Sequence, residues 1–124
     1  LDPLTQQLTF SSAGHPVFRV SVDDHCENVR ATNLVLGLMD DVTYCSSTRQ
    51  LETGDILVLP TDGMYEATSM DQKLFGCERM LDCVKRTRQS AAEEIIVAMS
   101  DACQAFAGEN PIHDDMTCVL IKVD

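Results

Sequence analysis

The sequence predicts an α+β fold with a mostly antiparallel sheet and two helices before the last strand. Three observations predict it. Apolar residues in the first half alternate or form short blocks, as strands do. Beyond Gly63 their period lengthens to that of a helix, and the chain closes on one more alternating segment. Strands grouped ahead of helices, rather than interleaved with them, indicate α+β layers.

The elements follow in order. Asp2-Pro3-Leu4-Thr5-Gln6-Gln7 has the composition of a hairpin turn. Such a turn implies a strand on each side. None precedes it and the chain lacks an initiator Met, so the expectation is a piece of something longer. Residues 8–13 and 17–22 read as strands around the turn Gly14-His15-Pro16, with Phe18, Val20 and Val22 alternating with Val17, Arg19 and Ser21. Residues 23–30 are polar and read as loop. Leu34-Val35-Leu36-Gly37-Leu38 is a short apolar run ending in a loop. Residues 42–48 are strand-like, with Val42 and Tyr44 as β-formers. Glu52-Thr53-Gly54-Asp55 is a turn, and Ile56-Leu57-Val58-Leu59 reads as a central strand buried on both faces.

After Pro60 and Thr61-Asp62-Gly63, the residues Cys77, Met80, Leu81 and Val84 fall on one face of a first helix. Ser90 and Glu93 match a capping box opening a second, in which Ile95, Ile96, Met99, Ala102, Cys103 and Phe106 recur at helical spacing up to Gly108. Residues 109–113 read as loop and 118–123 as the final strand. No repeat, low-complexity stretch or linker interrupts the 124 residues.

Nine basic and twenty acidic residues give a net charge of −11. That excludes nonspecific binding to nucleic acid or an anionic membrane, which need a basic footprint. It also repels a phosphorylated substrate unless metal ions reverse the local sign; the plainer meaning is a soluble surface. No apolar run approaches the roughly 20 residues that span a bilayer, and the first residues do not form a secretory signal. The six cysteines contain no C-x-x-C pair, which disfavours a zinc ribbon or a thioredoxin-type motif. Cys77, Cys83, Cys103 and Cys118 lie among apolar neighbours and read as small buried hydrophobes in a reducing cytoplasm. A disulfide-stapled secreted domain is the competing reading. There is no G-x-S-x-G elbow, no P-loop and no H-x-x-x-H pair.

Three constellations can carry chemistry. Thr61-Asp62-Gly63 follows the most apolar strand. There Asp62 is either a hard-metal ligand held at a strand end or a cap for the turn Met64-Tyr65-Glu66-Ala67. His113-Asp114-Asp115-Met116-Thr117 places two acids side by side, which repel unless a cation or N–H donors compensate; the alternative is a solvated loop. His15, in Ala13-Gly14-His15-Pro16, suits phosphate binding, proton transfer or metal ligation, or is simply a turn residue bonded to backbone.

Together, Leu8-Thr9-Phe10-Ser11-Ser12-Ala13-Gly14-His15-Pro16, Leu36-Gly37-Leu38, Leu51-Glu52-Thr53-Gly54-Asp55, Leu59-Pro60-Thr61-Asp62-Gly63-Met64-Tyr65-Glu66-Ala67, Leu74-Phe75-Gly76-Cys77-Glu78-Arg79-Met80 and Asp114-Asp115-Met116-Thr117 resemble the protein phosphatase 2C superfamily, in its bacterial SpoIIE/RsbU-type branch. They occur in the family's order over nearly the whole chain. The resemblance implies a partial four-layer α-β-β-α sandwich and hydrolysis of phosphoserine or phosphothreonine by a water activated between two Mn²⁺ or Mg²⁺ ions. It assigns Asp62 and Asp114 to one metal, Asp115 to a supporting place beside it, and Glu66 to the neighbourhood of a third metal. It leaves the chemistry of His15 open.

Nothing in the sequence matches the acids of the family's N-terminal half. Residues 1–124 are therefore expected to be the C-terminal part of the domain, to hold at most half the site, and to be inactive alone. The resemblance further implies a phosphorylated regulatory protein as substrate, of the STAS-fold anti-anti-sigma type. It implies an upstream sensor or receiver domain and a cytoplasmic location. A fragment would leave sheet edges open to a companion segment or a second copy. The competing function is a non-catalytic scaffold or partner-binding module with the same fold.

Overall fold

A computed structural model describes residues 1–29 and 33–124. It contains six strands, β1 (Gln7–Phe10), β2 (Phe18–Val20), β3 (Cys26–Asn28), β4 (Ser47–Gln50), β5 (Ile56–Pro60) and β6 (Cys118–Lys122), and two helices, α1 (Gly76–Thr87) and α2 (Ala92–Ala107). One sheet runs β3-β2-β5-β6, and a separate two-stranded ribbon pairs β1 with β4; every pairing is antiparallel. The α+β class and the two helices before the last strand are as the sequence predicts.

The side-chain alternation of the strands sorts the core onto two faces. Phe18, Val20, Ile56 and Val58 point to one face and pack with Met80, Leu81 and Val84 of α1 and Ile95, Met99 and Cys103 of α2. On the other face Leu57 packs with Leu51 and Val123, flanked by Leu8, Leu59 and Ile121. Arg19 also lies there, opposite Leu57, and its guanidinium contacts the fully buried Asp55 carboxylate at 2.7 Å. Asp55 accepts further bonds from the Val22 and Glu52 amides, so the buried charge is paired and its oxygens are satisfied.

Several elements differ from expectation. Residues 26–28, read as loop, form β3, an edge strand whose polar residues pair with β2; Arg30, the end of that loop reading, lies outside the described residues. The strand expected at 42–48 is Ser47–Gln50, set by pairing with β1 rather than by the β-formers Val42 and Tyr44. β1 and β2 are shorter than 8–13 and 17–22 and lie in different sheets rather than pairing across the Gly14-His15-Pro16 turn. The capping box is shifted by one residue: Glu94 accepts the Ala91 amide at 3.0 Å, and Ala91 has no side-chain oxygen to return the bond. The opening turn is closed by Asp2 donating its amide to Gln7 O. The cysteines at 26, 77, 83, 103 and 118 are free thiols, which removes the disulfide-framework reading for them.

Candidate metal site

The site is built where β5 meets the loop before β6. Pro60 closes β5 against Cys118, and Thr61 continues extended into a 3-10 turn, Asp62–Met64. Thr61 ties the two segments together. Its amide donates to Thr117 O at 2.8 Å. Its hydroxyl accepts from the Thr117 amide at 3.0 Å and directs its proton to Asp115 O at 2.9 Å.

Gly63 lies against the same loop. A Cβ at this position would sit 2.6 Å from Asp115 O and 2.9 Å from Asp114 O, closer than any side chain tolerates. Only glycine therefore lets the two acid-bearing backbones approach this far. From below, Cys103 of α2 donates its thiol to Gly63 O, anchoring the turn on the helical core.

Asp62 stands exposed beyond this anchor. Its Oδ1 accepts the Gly63 amide at 3.0 Å, while its carbonyl accepts the amides of Tyr65 and Glu66. The capping alternative is thereby revised: the cap position of the 3-10 turn is Thr61, and Asp62 belongs to the turn itself. Asp114, Asp115, Glu66, His113 and His15 are also exposed.

The carboxylates line neighbouring cavities rather than a single one. Asp62 lines a cavity of about 360 Å³ with His15, Val35, Thr61 and Tyr65. Asp114 lines one of about 170 Å³ with Gly63, Glu66 and His113, and, with Asp115, a third of about 420 Å³ bounded by Gln104 and Asn110. Tyr65 registers the negative character of the region. Burial is the main cause that pushes its phenol pKa up; the Glu66 and Asp62 carboxylates, and Cys77 once its thiol ionises, push the same way.

Exposed carboxylates on a rigid backbone are the donors a hard divalent cation takes. Among the described residues, however, no group of three His, Cys, Asp or Glu side chains is placed to hold a metal ion. The donor chemistry fits such an ion. Sequence reasoning missed the roles of Thr61 and Thr117, whose hydroxyl and amide contacts carry no local signature. It also missed Asn33, which accepts the Cys45 amide at 2.8 Å and donates to Cys45 O and Ser12 O, pinning the loop after β3 against the end of β1.

This arrangement of sheets and helices matches known phosphatase-domain folds. The SiaA-PP2C domain of Pseudomonas aeruginosa aligns with a TM-score of 0.82 at 22% identity, over 97% of this chain and 48% of that one. The PP2C phosphatase domain with a fragment of the regulatory domain of the cell fate determinant SpoIIE from Bacillus subtilis aligns with a TM-score of 0.75 at 24% identity, over 96% of this chain and 34% of that one. These likenesses define the fold as that of the PP2C phosphatases.

The model of the family described as Stage II sporulation protein E (SpoIIE) matches residues 1–124, and the chain belongs to that family. It is 31% identical over 118 residues to the phosphoserine phosphatase RsbU of Bacillus subtilis, which covers 94% of this chain and 35% of that protein. It is 24% identical over 122 residues to protein IcfG of Synechocystis, covering 98% of this chain and 19% of that protein. The chain thus spans about a third or less of the length of these relatives. No helix among the described residues is long and apolar enough to cross a membrane.

Proposed function

We propose that this chain is the C-terminal part of a metal-dependent protein serine/threonine phosphatase domain, supplying part of its metal site. Asp62 and Asp114 are the carboxylates that hold one hard cation, Mn²⁺ or Mg²⁺. Asp115 supports them, and Glu66, beside Asp114 in the smallest of the three cavities, stands near a more weakly held third ion. The remaining ligands, and the second of two ions, belong to a segment outside these residues. Bound divalent cations would supply the Lewis acidity that activates water and neutralises phosphoryl charge. The chain's own part is to hold the two acid-bearing turns at fixed separation and to bring the substrate to them.

The observation that carries this reading is the lock between Thr61-Gly63 and Asp115-Thr117, which sets Asp62 and Asp114 on adjoining backbones. The kinship to the phosphoserine phosphatase RsbU supports the same reaction class. The substrate class that follows is a phosphorylated regulatory protein of the STAS-fold anti-anti-sigma type, in a bacterial cytoplasm, with sensor or receiver domains upstream in the parent chain. The edge strands β3 and β6 are where the rest of the domain, or a second copy, would pair.

The second reading, a non-catalytic module of the same fold, is favoured by the absence of a three-ligand cluster among the described residues. Calorimetric Mn²⁺ titration and a phosphoserine-peptide assay separate the two. The complete domain is expected to turn over with Mn²⁺ and to lose about a hundredfold or more in kcat in Asp62→Asn and Asp114→Ala, as removal of charge stabilisation at a reacting phosphoryl group does. Residues 1–124 alone are expected to be inactive. Turnover by this piece alone that Asp62→Asn abolishes would overturn the partial-site reading. A complete domain indifferent to Mn²⁺ and to both substitutions would establish the non-catalytic module.

A further inference from the structure

The Gly14-His15-Pro16 turn has no task in the metal-site reading, yet it lines the same cavity of about 360 Å³ as Asp62. Among the described residues no Lys or Arg lines that cavity, and a dianionic phosphoryl group entering it needs hydrogen-bond donors. The Thr61 hydroxyl is already committed to the Asp115 and Thr117 backbone. Among the described side chains lining it, the His15 imidazole and the Tyr65 phenol remain as donors, and neither hydrogen-bonds to a described residue.

The turn is also held rigidly. Ser12 Oγ donates to His15 O at 2.8 Å. Gly14 sits at φ +108°, where a Cβ would lie 3.0 Å from Val35 Cγ2, so the turn packs directly on the loop that Asn33 pins. A donor presented from such a frame loses little freedom when it meets a ligand.

We propose that His15 is a substrate-contacting residue of this site, donating a ring N–H to an oxygen of the phosphoryl group held beside Asp62. The proposal rests on the phosphatase reading above and adds a residue that recognises the phosphate in the cavity Asp62 lines.

The test uses the complete, Mn²⁺-loaded domain, with a phosphoserine peptide as substrate and inorganic phosphate as competing ligand. In His15→Ala, KM for the peptide and Ki for inorganic phosphate rise together by roughly tenfold or more, the weight of one hydrogen bond to a charged group. kcat, Mn²⁺ affinity and melting temperature stay near the parent values. His15→Gln, which keeps an N–H donor, recovers part of the loss. Should His15→Ala melt early, His15→Gln and His15→Leu, alike in size, carry the comparison, since only the former donates. Unchanged KM and Ki in the donor-free variant overturn the proposal. So does a loss confined to kcat on phosphoserine and absent with p-nitrophenyl phosphate, which assigns His15 to the leaving oxygen instead. A parent domain that hydrolyses no phosphopeptide, by contrast, refutes the phosphatase reading itself.

Discussion

On its helix side the four-stranded sheet buries a continuous apolar layer, from Phe18 and Val20 through Ile56 and Val58 to Met80, Val84, Ile95 and Met99. On the opposite side the apolar residues covered, among the described residues, are Leu51, Leu57 and Val123, beneath the β1–β4 ribbon, and Val119 of β6 remains exposed. The thinner side is held instead by polar chemistry. Asp55, with no exposure, gathers the Arg19 guanidinium and the Val22 and Glu52 amides. One face is thus stabilised by area removed from water, which tolerates loss in increments. The other depends on a small network that fails when one member is lost.

Three measurements break or sharpen that contrast. No effect is expected to exceed that of Asp55→Ala, which takes the buried carboxylate from Arg19 and two part-buried amides, leaves Arg19 the longer contact to Glu27 at 3.7 Å, and should cost about 3 kcal/mol in urea unfolding. A loss below about 1 kcal/mol would show that the thin face does not depend on its ion pair. Met99→Ala on the helix side should cost about 3 kcal/mol, as a buried methionine truncated in a packed core does, whereas Val119→Ala on the thin side should change stability by less than about 0.5 kcal/mol. Equal losses would erase the difference between the faces.

A smaller effect than either core substitution is a pH dependence on the helix side. Burial pushes the Cys118 thiol up to about 11 from the ordinary value of 9.0. Between those values the unfolded chain ionises this thiol while the folded chain does not, so stability must fall as pH rises from about 9 towards 11. Cys118→Ala should lessen that fall by about 1 kcal/mol, since nearby solvent at the strand edge screens part of the charge. An identical pH profile in the variant would remove Cys118 as a cause.

The same contrast explains what could be read from the residues alone. The helices were legible because Met80, Leu81 and Val84, and then Ile95, Met99 and Cys103, repeat at helical spacing, and the core uses those positions. The central strand was legible because its two faces are both apolar. β3 and β4 were not, because Cys26-Glu27-Asn28 and Ser47-Thr48-Arg49-Gln50 owe their conformation to partners distant in sequence, and cross-strand pairing leaves no periodic apolar trace in an exposed ribbon. In the site, Asp62 and Asp114 could be singled out by type and position, and Glu66 by the family resemblance. The arrangement of their cavities, and the part of Thr61 in joining the turns, arise only when β5 and β6 pair.

Gly63 carries one more consequence. Its contact with the Asp114–Asp115 backbone is main chain against main chain, so the gap between the two acid-bearing turns is set by the polypeptide itself and not by the acids. The carboxylates are guests on that frame. A protein engineer could exchange them for imidazoles, to invite a softer ion, and leave the socket standing; adding a single methyl group at position 63 would pry it open.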